Sequence, residues 1–440
     1  MVLSLQTVRQ VDEIVARTQL QGRAPSVIAA VVRGGQVVHV SAAGAHPVPG
    51  RDTQFRIGSI TKTLTAALVL GLRDEGRLGL DDPLAAHLPE TGLGGVRLRQ
   101  LLCHGSGLQR EPDGLWWERS PGVPLDNLLE AVTAAKLAHD PYTHFHYSNL
   151  AYGLLGGVIE RLTGQSWWDA VSTRLLGPLG MSRTTYHATE PFARGYVVHP
   201  WHQTVREEPR TDTAAMAPAG QAWSTVDDLG LWAAVLASTG ESPVLRAATL
   251  AQMAAPAAMA DPDGWTAGYG LGLQLWRRGE RVFVGHTGSM PGYLAVLAAH
   301  RPSATAAVAF ANTYGLRGTR IGSVGLSIVE AVLDCEPEAA PAPWRPLAPP
   351  PPDVADLCGR WWWMAEEVEA RWDAATTQLV LTEAGGPEWR FAREGADQWR
   401  CVSGEQIGEV LQVRRDSDGT ATALDLATFI YTRDAGEYTP

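Results

Sequence analysis

The chain has 440 residues, 45% hydrophobic and 19% charged, which suits a globular protein with a sizeable core; at roughly 100–200 residues per domain, two or three domains are expected. A formal net charge of -11 with no run of Lys or Arg excludes the basic footprint of a nucleic-acid binder, and the acidic balance serves solubility. The four cysteines, Cys103, Cys335, Cys358 and Cys401, form no CxxC and stand beside no His at ligand spacing, so buried free thiols are expected in place of a disulfide scaffold or a metal site.

Leu5, Val8, Val11 and Val15 recur at helical spacing, which predicts an amphipathic surface helix; the first ten residues lack the basic and then apolar segments of a signal peptide. No apolar run approaches the roughly 20 residues of a membrane span, so the expected location is cytoplasmic. Residues 26–43 predict a β-hairpin turning at Gly34 and Gly35. From Arg56 the period changes: Ile60, Leu64, Ala67, Leu68 and Gly71 share one helical face, with Gly76 as the stop. Helical patterns recur at 127–138, 150–162, 167–176, 226–237 and 245–255, short strands at 269–276, 281–285, 292–299 and 306–312, and a last helix at 321–333. Strands joined by tight turns are antiparallel, so the first hairpin and the last strands can complete one sheet covered by helices, with the middle forming a helical block. Residues 337–352, dense in Pro and Ala, predict a semi-rigid extended linker. Eight strand-like runs follow (357–363, 367–372, 378–381, 388–391, 399–402, 410–413, 423–426 and 428–431), as in a small antiparallel barrel or sandwich. The expected fold class is α/β (α+β): an antiparallel sheet flanked by helices plus a mainly helical subdomain over residues 1–336, then a small all-β barrel-like domain over 353–440.

Three short segments carry chemistry. Positive charge in this chain is almost all Arg; the only lysines are Lys62 and Lys136. Lys, unlike Arg, loses its proton at an accessible pH. Lys62 lies three residues after Ser59, so one helical turn sets an amine against a hydroxyl. A Ser hydroxyl needs a base to become a nucleophile, and a lysine lowered to about 7–8 can be that base. The second segment is Tyr147-Ser148-Asn149, in a chain with only three Asn. The phenol can share protons with the amine and hydroxyl, and the Asn149 amide can bond both Lys62 and a substrate carbonyl. Ser148 or Asn149 also reads as a helix cap. The third is His286-Thr287-Gly288-Ser289, at the end of the strand 281–285. Gly288 permits close approach of a ligand, and the amides of Ser59 and Ser289 can form an oxyanion hole.

In order, spacing and context these segments resemble the penicillin-recognising serine enzymes, whose related motif set is SxxK, SDN and KTG. The Tyr-x-Asn segment is similar to the class C β-lactamase and D,D-peptidase branch. So are Leu101-Leu102-Cys103-His104-Gly105-Ser106-Gly107-Leu108, Pro178-Leu179-Gly180-Met181, Trp223-Ser224-Thr225 with Asp227-Asp228-Leu229, and Pro291-Gly292-Tyr293. The resemblance covers about residues 10–333, and the C-terminal segment resembles the small β-barrel appended to some members. It implies that Ser59 is acylated, that Lys62 and Tyr147 relay its proton, that Tyr147 helps activate water, and that Asn149 with His286, Thr287, Gly288 and Ser289 holds the substrate. Which of Lys62 and Tyr147 is the base stays open, since the two titrate as a unit. His286 departs from the Lys of many members, and His-x-Gly occurs in relatives acting as D-aminopeptidases or esterases. The expected function is therefore hydrolysis of a small amide or ester, peptidase or esterase first and β-lactamase second. A reading of another class is a non-catalytic scaffold whose C-terminal domain binds a partner. No cofactor, metal, nucleic acid or membrane is expected. The partner is a small-molecule or short-peptide substrate, with oligomeric state, a homo-oligomer included, left open. Trp116 and Trp117 are read as packing residues, and His144 and His146 as local polar contacts, since further zinc ligands are not evident.

Overall fold

The computed structural model describes residues 2–44, 48–202, 204–336, 345–383 and 385–435. It divides into two compact units, Met1–Glu338 and Ala339–Pro440. Part of the expected linker, 337–344, lies outside the described residues.

The first unit is built on an eight-stranded antiparallel sheet. Helix α1 (Leu5–Gly22) leads into β1 (Ser26–Arg33) and β2 (Gln36–Gly44), joined through Gly34 and Gly35, both at positive φ. The other strands come late: β3 (Ala258–Met259), β4 (Ala267–Tyr269), β5 (Gln274–Arg278), β6 (Arg281–Met290), β7 (Tyr293–His300) and β8 (Thr305–Ala311). The order is β2-β1-β8-β7-β6-β5-β4-β3, so the N-terminal hairpin closes against the last strand, Val27 opposite Ala311. Residues 27–32 of β1 are all fully buried. Val27, Ala29 and Val31 join a core with α1 and α4 (Ile321–Cys335), while Ile28, Ala30 and Val32 join the larger core on the other face. The two-residue period of a strand thus sorts one apolar run into two hydrophobic layers.

That larger core surrounds α2 (Thr61–Asp74), entered through a short 3-10 turn at Gly58–Ile60. Eleven of its 14 residues are buried, Lys62 among them. An all-round buried helix is a central pillar and not a surface element. Three threonines fix its rotation: Thr61 Oγ1 accepts from the Ala222 amide (3.3 Å), Thr63 Oγ1 from the Trp232 indole (2.8 Å), and Thr65 Oγ1 from the Trp167 indole (3.1 Å). Helix α3 (Asn149–Thr163) packs on α2 and starts from the Ser148 side chain, which accepts from the Ala151 amide.

Several sequence expectations shift. The strand expected at 269–276 is two strands, because Gly270 to Leu273 turn the chain, with Gly272 at φ 85°. The strand expected to end at Gly285 runs on to Met290, so His286–Ser289 lies within it. The helix expected over 127–138 stops at Ala131, followed by a 3-10 turn at Ala134–Lys136. All four cysteines are free. Among the described residues no helix is long and apolar enough to cross a membrane.

The second unit is a closed barrel of eight antiparallel strands between Gly359 and Thr432. Its interior is filled by Trp361, Leu379, Leu381, Trp389, Phe391, Trp399, Leu411 and Leu424.

Candidate active site

Ser59 sits in the turn that opens α2, and Lys62 one helical turn on. Lys62 Nζ donates to Ser59 Oγ (2.9 Å), Asn149 Oδ1 (2.7 Å) and the Ala219 carbonyl (2.7 Å). All three partners are neutral acceptors, and the side chain is fully buried. Burial therefore lowers the amine from the usual lysine range to about 7, with Arg110 acting the same way and Glu118 and Glu111 opposing. Tyr147 lies beside the amine, Nζ standing 5.1 Å from its ring centroid, and hydrogen-bonds Ser59. Burial raises its phenol above the ordinary range, against the pull of that hydrogen bond and of Arg110. The structure thus brings Ser59, Lys62, Tyr147 and Asn149 into one hydrogen-bonded group.

The third segment arrives on β6. β5 pairs with β6 only as far as Gly285, opposite Gln274, so the stretch from His286 to Met290 presents an open edge. The Thr287 amide points to that edge, donating to Gln274 Oε1 at 3.0 Å; the Ser289 amide, two residues on, points the same way. Two glycines let this edge meet the Ser59 turn. A Cβ on Gly58 would fall 2.5 Å from the Ser289 amide nitrogen, and one on Gly288 would fall 1.9 Å from the Ile57 carbonyl and 3.3 Å from the Ser59 amide nitrogen. Gly58 also holds φ 53°.

A cleft of about 780 Å3 opens here, and Ser59, Tyr147, Asn149, Thr287, Gly288 and Ser289 all line it. His286 does not. It is 1% exposed beneath the cleft, its Nε2 bonded to the Tyr269 hydroxyl at 2.6 Å. Burial, then the charge of Lys62, push its imidazole down to about 3, so it is neutral. Where the resemblance allows a cation, this chain holds an uncharged ring.

Residues that sequence reasoning passed over complete the site. Glu111 accepts from Asn149 Nδ2 through both carboxylate oxygens (2.9 Å each) and from the Trp117 indole (2.6 Å). This turns the Asn149 amide so that its oxygen faces Lys62. Glu118 lines the cleft and is raised to about 7 by burial and by the nearby Glu111. Both carboxylates lie in an irregular loop where no periodicity marks them. Trp117 is buried, as a packing residue would be, but Trp116 is 47% exposed and meets Tyr314 edge-on at 5.9 Å. His144 and His146 gather around His139, at 4.7 and 5.2 Å respectively. Among the described residues no group of three or more His, Cys, Asp or Glu is arranged to hold a metal.

Known proteins resemble this chain in sequence and fold. Residues 350–433 match a Domain of unknown function (DUF7586). Protein flp of Staphylococcus aureus (strain MW2) is 29% identical over 192 residues, 41% of this chain and 39% of that protein. The chain thus spans about two-fifths of the length of such curated relatives. Beta-lactamase-like protein 2 of Dictyostelium discoideum is 26% identical over 67% of the chain and 57% of its own length. Among solved structures, SurE superposes with a TM-score of 0.62 at 26% identity, covering 97% of this chain and 99% of that one. A D-stereospecific amidohydrolase from Streptomyces sp. has TM-score 0.61 at 26% identity, covering 74% and 98%. The octameric penicillin-binding protein homologue from Pyrococcus abyssi, at 19% identity, TM-score 0.66 and coverage of 96% and 99%, shares the fold. The Beta-lactamase family model matches residues 7–322, and the chain belongs to that family of hydrolases.

Proposed function

We propose that this protein is a serine hydrolase that forms an acyl-enzyme on Ser59 and hydrolyses a small amide or ester of the D-amino-acid type, the chemistry residing in residues 1–336. The observation that carries this reading is a fully buried Lys62 amine, 2.9 Å from Ser59 Oγ and lowered to about 7. An amine so placed is substantially neutral near pH 7 and can take the Ser59 proton as Oγ attacks the substrate carbonyl. Tyr147, held protonated by its raised pKa, donates to the leaving nitrogen or oxygen and is reprotonated from Lys62. The Ser59 and Ser289 amides stabilise the oxyanion. Water then attacks the acyl ester, the same groups working in reverse.

Two features support an aminopeptidase, amidase or esterase over a β-lactamase. His286 supplies no positive charge to draw a substrate carboxylate. Glu111 engages both oxygens on the Asn149 amide that would otherwise meet an acylamino carbonyl. Similarity to a D-stereospecific amidohydrolase from Streptomyces points the same way. Such a substrate is a small molecule or short peptide, and assembly as a homo-oligomer is compatible with this reading.

The test is a panel of D-amino-acid amides, D,D-dipeptides, short-chain esters and a chromogenic cephalosporin, alongside intact-mass analysis after fluorophosphonate treatment. A single adduct on Ser59, turnover of amides or esters, and its loss in Ser59→Ala are expected. Full turnover by Ser59→Ala would sink the acyl-enzyme, and rapid cephalosporin hydrolysis alone would make the protein a β-lactamase.

A further inference from the structure

Tyr147 is held from both sides by one residue that the mechanism above does not use. The amide of His146, just before it, donates to the His104 carbonyl at 3.0 Å. The amide of Ser148, just after it, donates to His104 Nδ1 at 3.0 Å. The His104 ring also stacks on the Tyr147 ring, centroids 4.2 Å apart and planes 29° apart, and is backed edge-on by Tyr269 at 4.5 Å. His104 is fully buried and adopts a left-handed backbone, φ 59°. Its Nε2 is buried and has no hydrogen-bond partner among the described residues.

This is an uneconomical way to build a turn. Gly or Asn takes the left-handed conformation more readily, and an apolar side chain would fill the space without stranding a polar atom. What the imidazole adds is an acceptor and a flat face, both turned on the tyrosine segment. We propose that His104 is the positioning residue for Tyr147, its ring and main chain together fixing the phenol beside Ser59 Oγ; this rests on the acyl-enzyme reading. Because Nδ1 accepts, the neutral ring carries its proton on Nε2. Burial holds the ring neutral, and the groups facing it, Lys62, His286, Arg110 and His146, all act against its protonation. The clamp therefore persists wherever the enzyme is active.

Three variants of the full chain test this. In His104→Asn, Oδ1 can replace Nδ1 as the acceptor and the backbone conformation is kept. In His104→Gly the backbone is kept and the acceptor lost, and His104→Ala also strains the turn. The expected result is a kcat loss of about 10²-fold in His104→Gly with KM little changed, and recovery of most of that loss in His104→Asn. A folded His104→Gly with wild-type kcat would overturn the proposal, as would an Asn variant no better than Gly. Should His104→Gly not fold, His104→Ala serves as the acceptor-free variant, and a His104→Asn with turnover no better than that of His104→Ala would overturn the proposal. In the wild-type protein, 15N-histidine spectra should report His104 as neutral and protonated on Nε2 throughout the active pH range, and a ring that titrates within that range would also overturn it. Ser59→Ala run in parallel separates the two readings. Its persisting activity removes the acyl-enzyme itself, whereas a silent Ser59→Ala beside an active His104→Gly removes only the role of His104.

Discussion

The two units bury different chemistry. The first takes a lysine, two histidines and an arginine out of water almost completely: Lys62, His104, His286 and Arg56. The barrel fills its interior with Trp361, Phe391 and leucines and pairs its charges toward the outside, as in Arg371–Glu388, Arg400–Glu394 and Arg414–Asp425. Among its described residues the buried polar side-chain atoms without partners are the indole nitrogens of Trp389 and Trp399 and one oxygen of Asp356. Burying an ionisable group is expensive, and a charge so treated either pairs or gives up its proton. Among the described residues Lys62 has no carboxylate hydrogen-bond partner, only Ser59, Asn149 and a carbonyl. The contrast is one of kind: the first unit takes a lysine and two histidines out of water and lowers their proton affinities, whereas the groups that burial shifts in the second are Tyr431, Cys358, Cys401 and Arg433.

The sharpest way to break that comparison is Lys62→Met, which keeps the length and packing of the side chain and removes the amine. A loss in kcat/KM of about 10²–10⁴-fold is expected, the range of general base catalysis. Thermal stability should hold or rise, because a buried amine is no longer desolvated. Activity near wild type would make Lys62 a structural residue. Gly288→Ala comes next. Its methyl would stand 1.9 Å from the Ile57 carbonyl, a main-chain atom that cannot swing aside, so β6 must move away from the Ser59 turn and draw the Ser289 amide from the Ser59 amide. Loss of one oxyanion donor corresponds to about 10²–10³ in kcat, measured at saturating substrate. A soluble Gly288→Ala with full kcat would show that the two amides do not act together.

Much of this was legible in the sequence, and the gaps have physical causes. The hairpin through Gly34 and Gly35, the buried helix after Ser59 and the eight barrel strands follow from period and turn residues. Ser59 and Lys62 stand out because Lys is so rare here that one at i+3 from Ser is conspicuous, and Tyr147 because its segment carries one of only three Asn. The strand through Gly285 was cut short because His286-Thr287-Gly288-Ser289 breaks apolar alternation; pairing with β7 carries it on, Gly288 opposite Ala295 and Met290 opposite Tyr293. The burial of His286 could not be read, since a His in a polar segment looks like a surface residue until Tyr269 is seen to accommodate it. Glu111 and Glu118 lie in a loop without period, and only folding sets them against Asn149 and Lys62.

The pH profile sharpens the comparison more gently. Lys62 must be neutral to accept the Ser59 proton, so kcat/KM should be low where the amine is protonated and rise with pH through about 7. Glu118 titrates in the same range, so the apparent value belongs to both groups. The Glu118 carboxylate raises the Lys62 pKa. Removing it in Glu118→Gln should release the lysine proton more easily and move the acid limb to lower pH by a fraction of a unit. An unmoved limb, or one displaced upward, would deny Glu118 its hold on the amine.

The smallest effect belongs to the barrel. Arg415 bonds Asp397 Oδ1 (2.7 Å), Asp356 Oδ2 (2.5 Å), the Gly419 carbonyl and the Asp353 carbonyl. Its side chain is 19% exposed against 28% and 36% for the two carboxylates, so the pairs are partly screened. Arg415→Met should cost about 1 kcal/mol, near the upper end for solvent-exposed ion pairs, and lower the melting temperature by a few degrees. Because these partners all lie in the same unit, the cost falls on the stability of that unit, and kcat at saturating substrate should be unchanged. Should Arg415→Met instead lower kcat without altering the melting curve, the barrel would have a part in the chemistry, and the division of labour between the two units would fail.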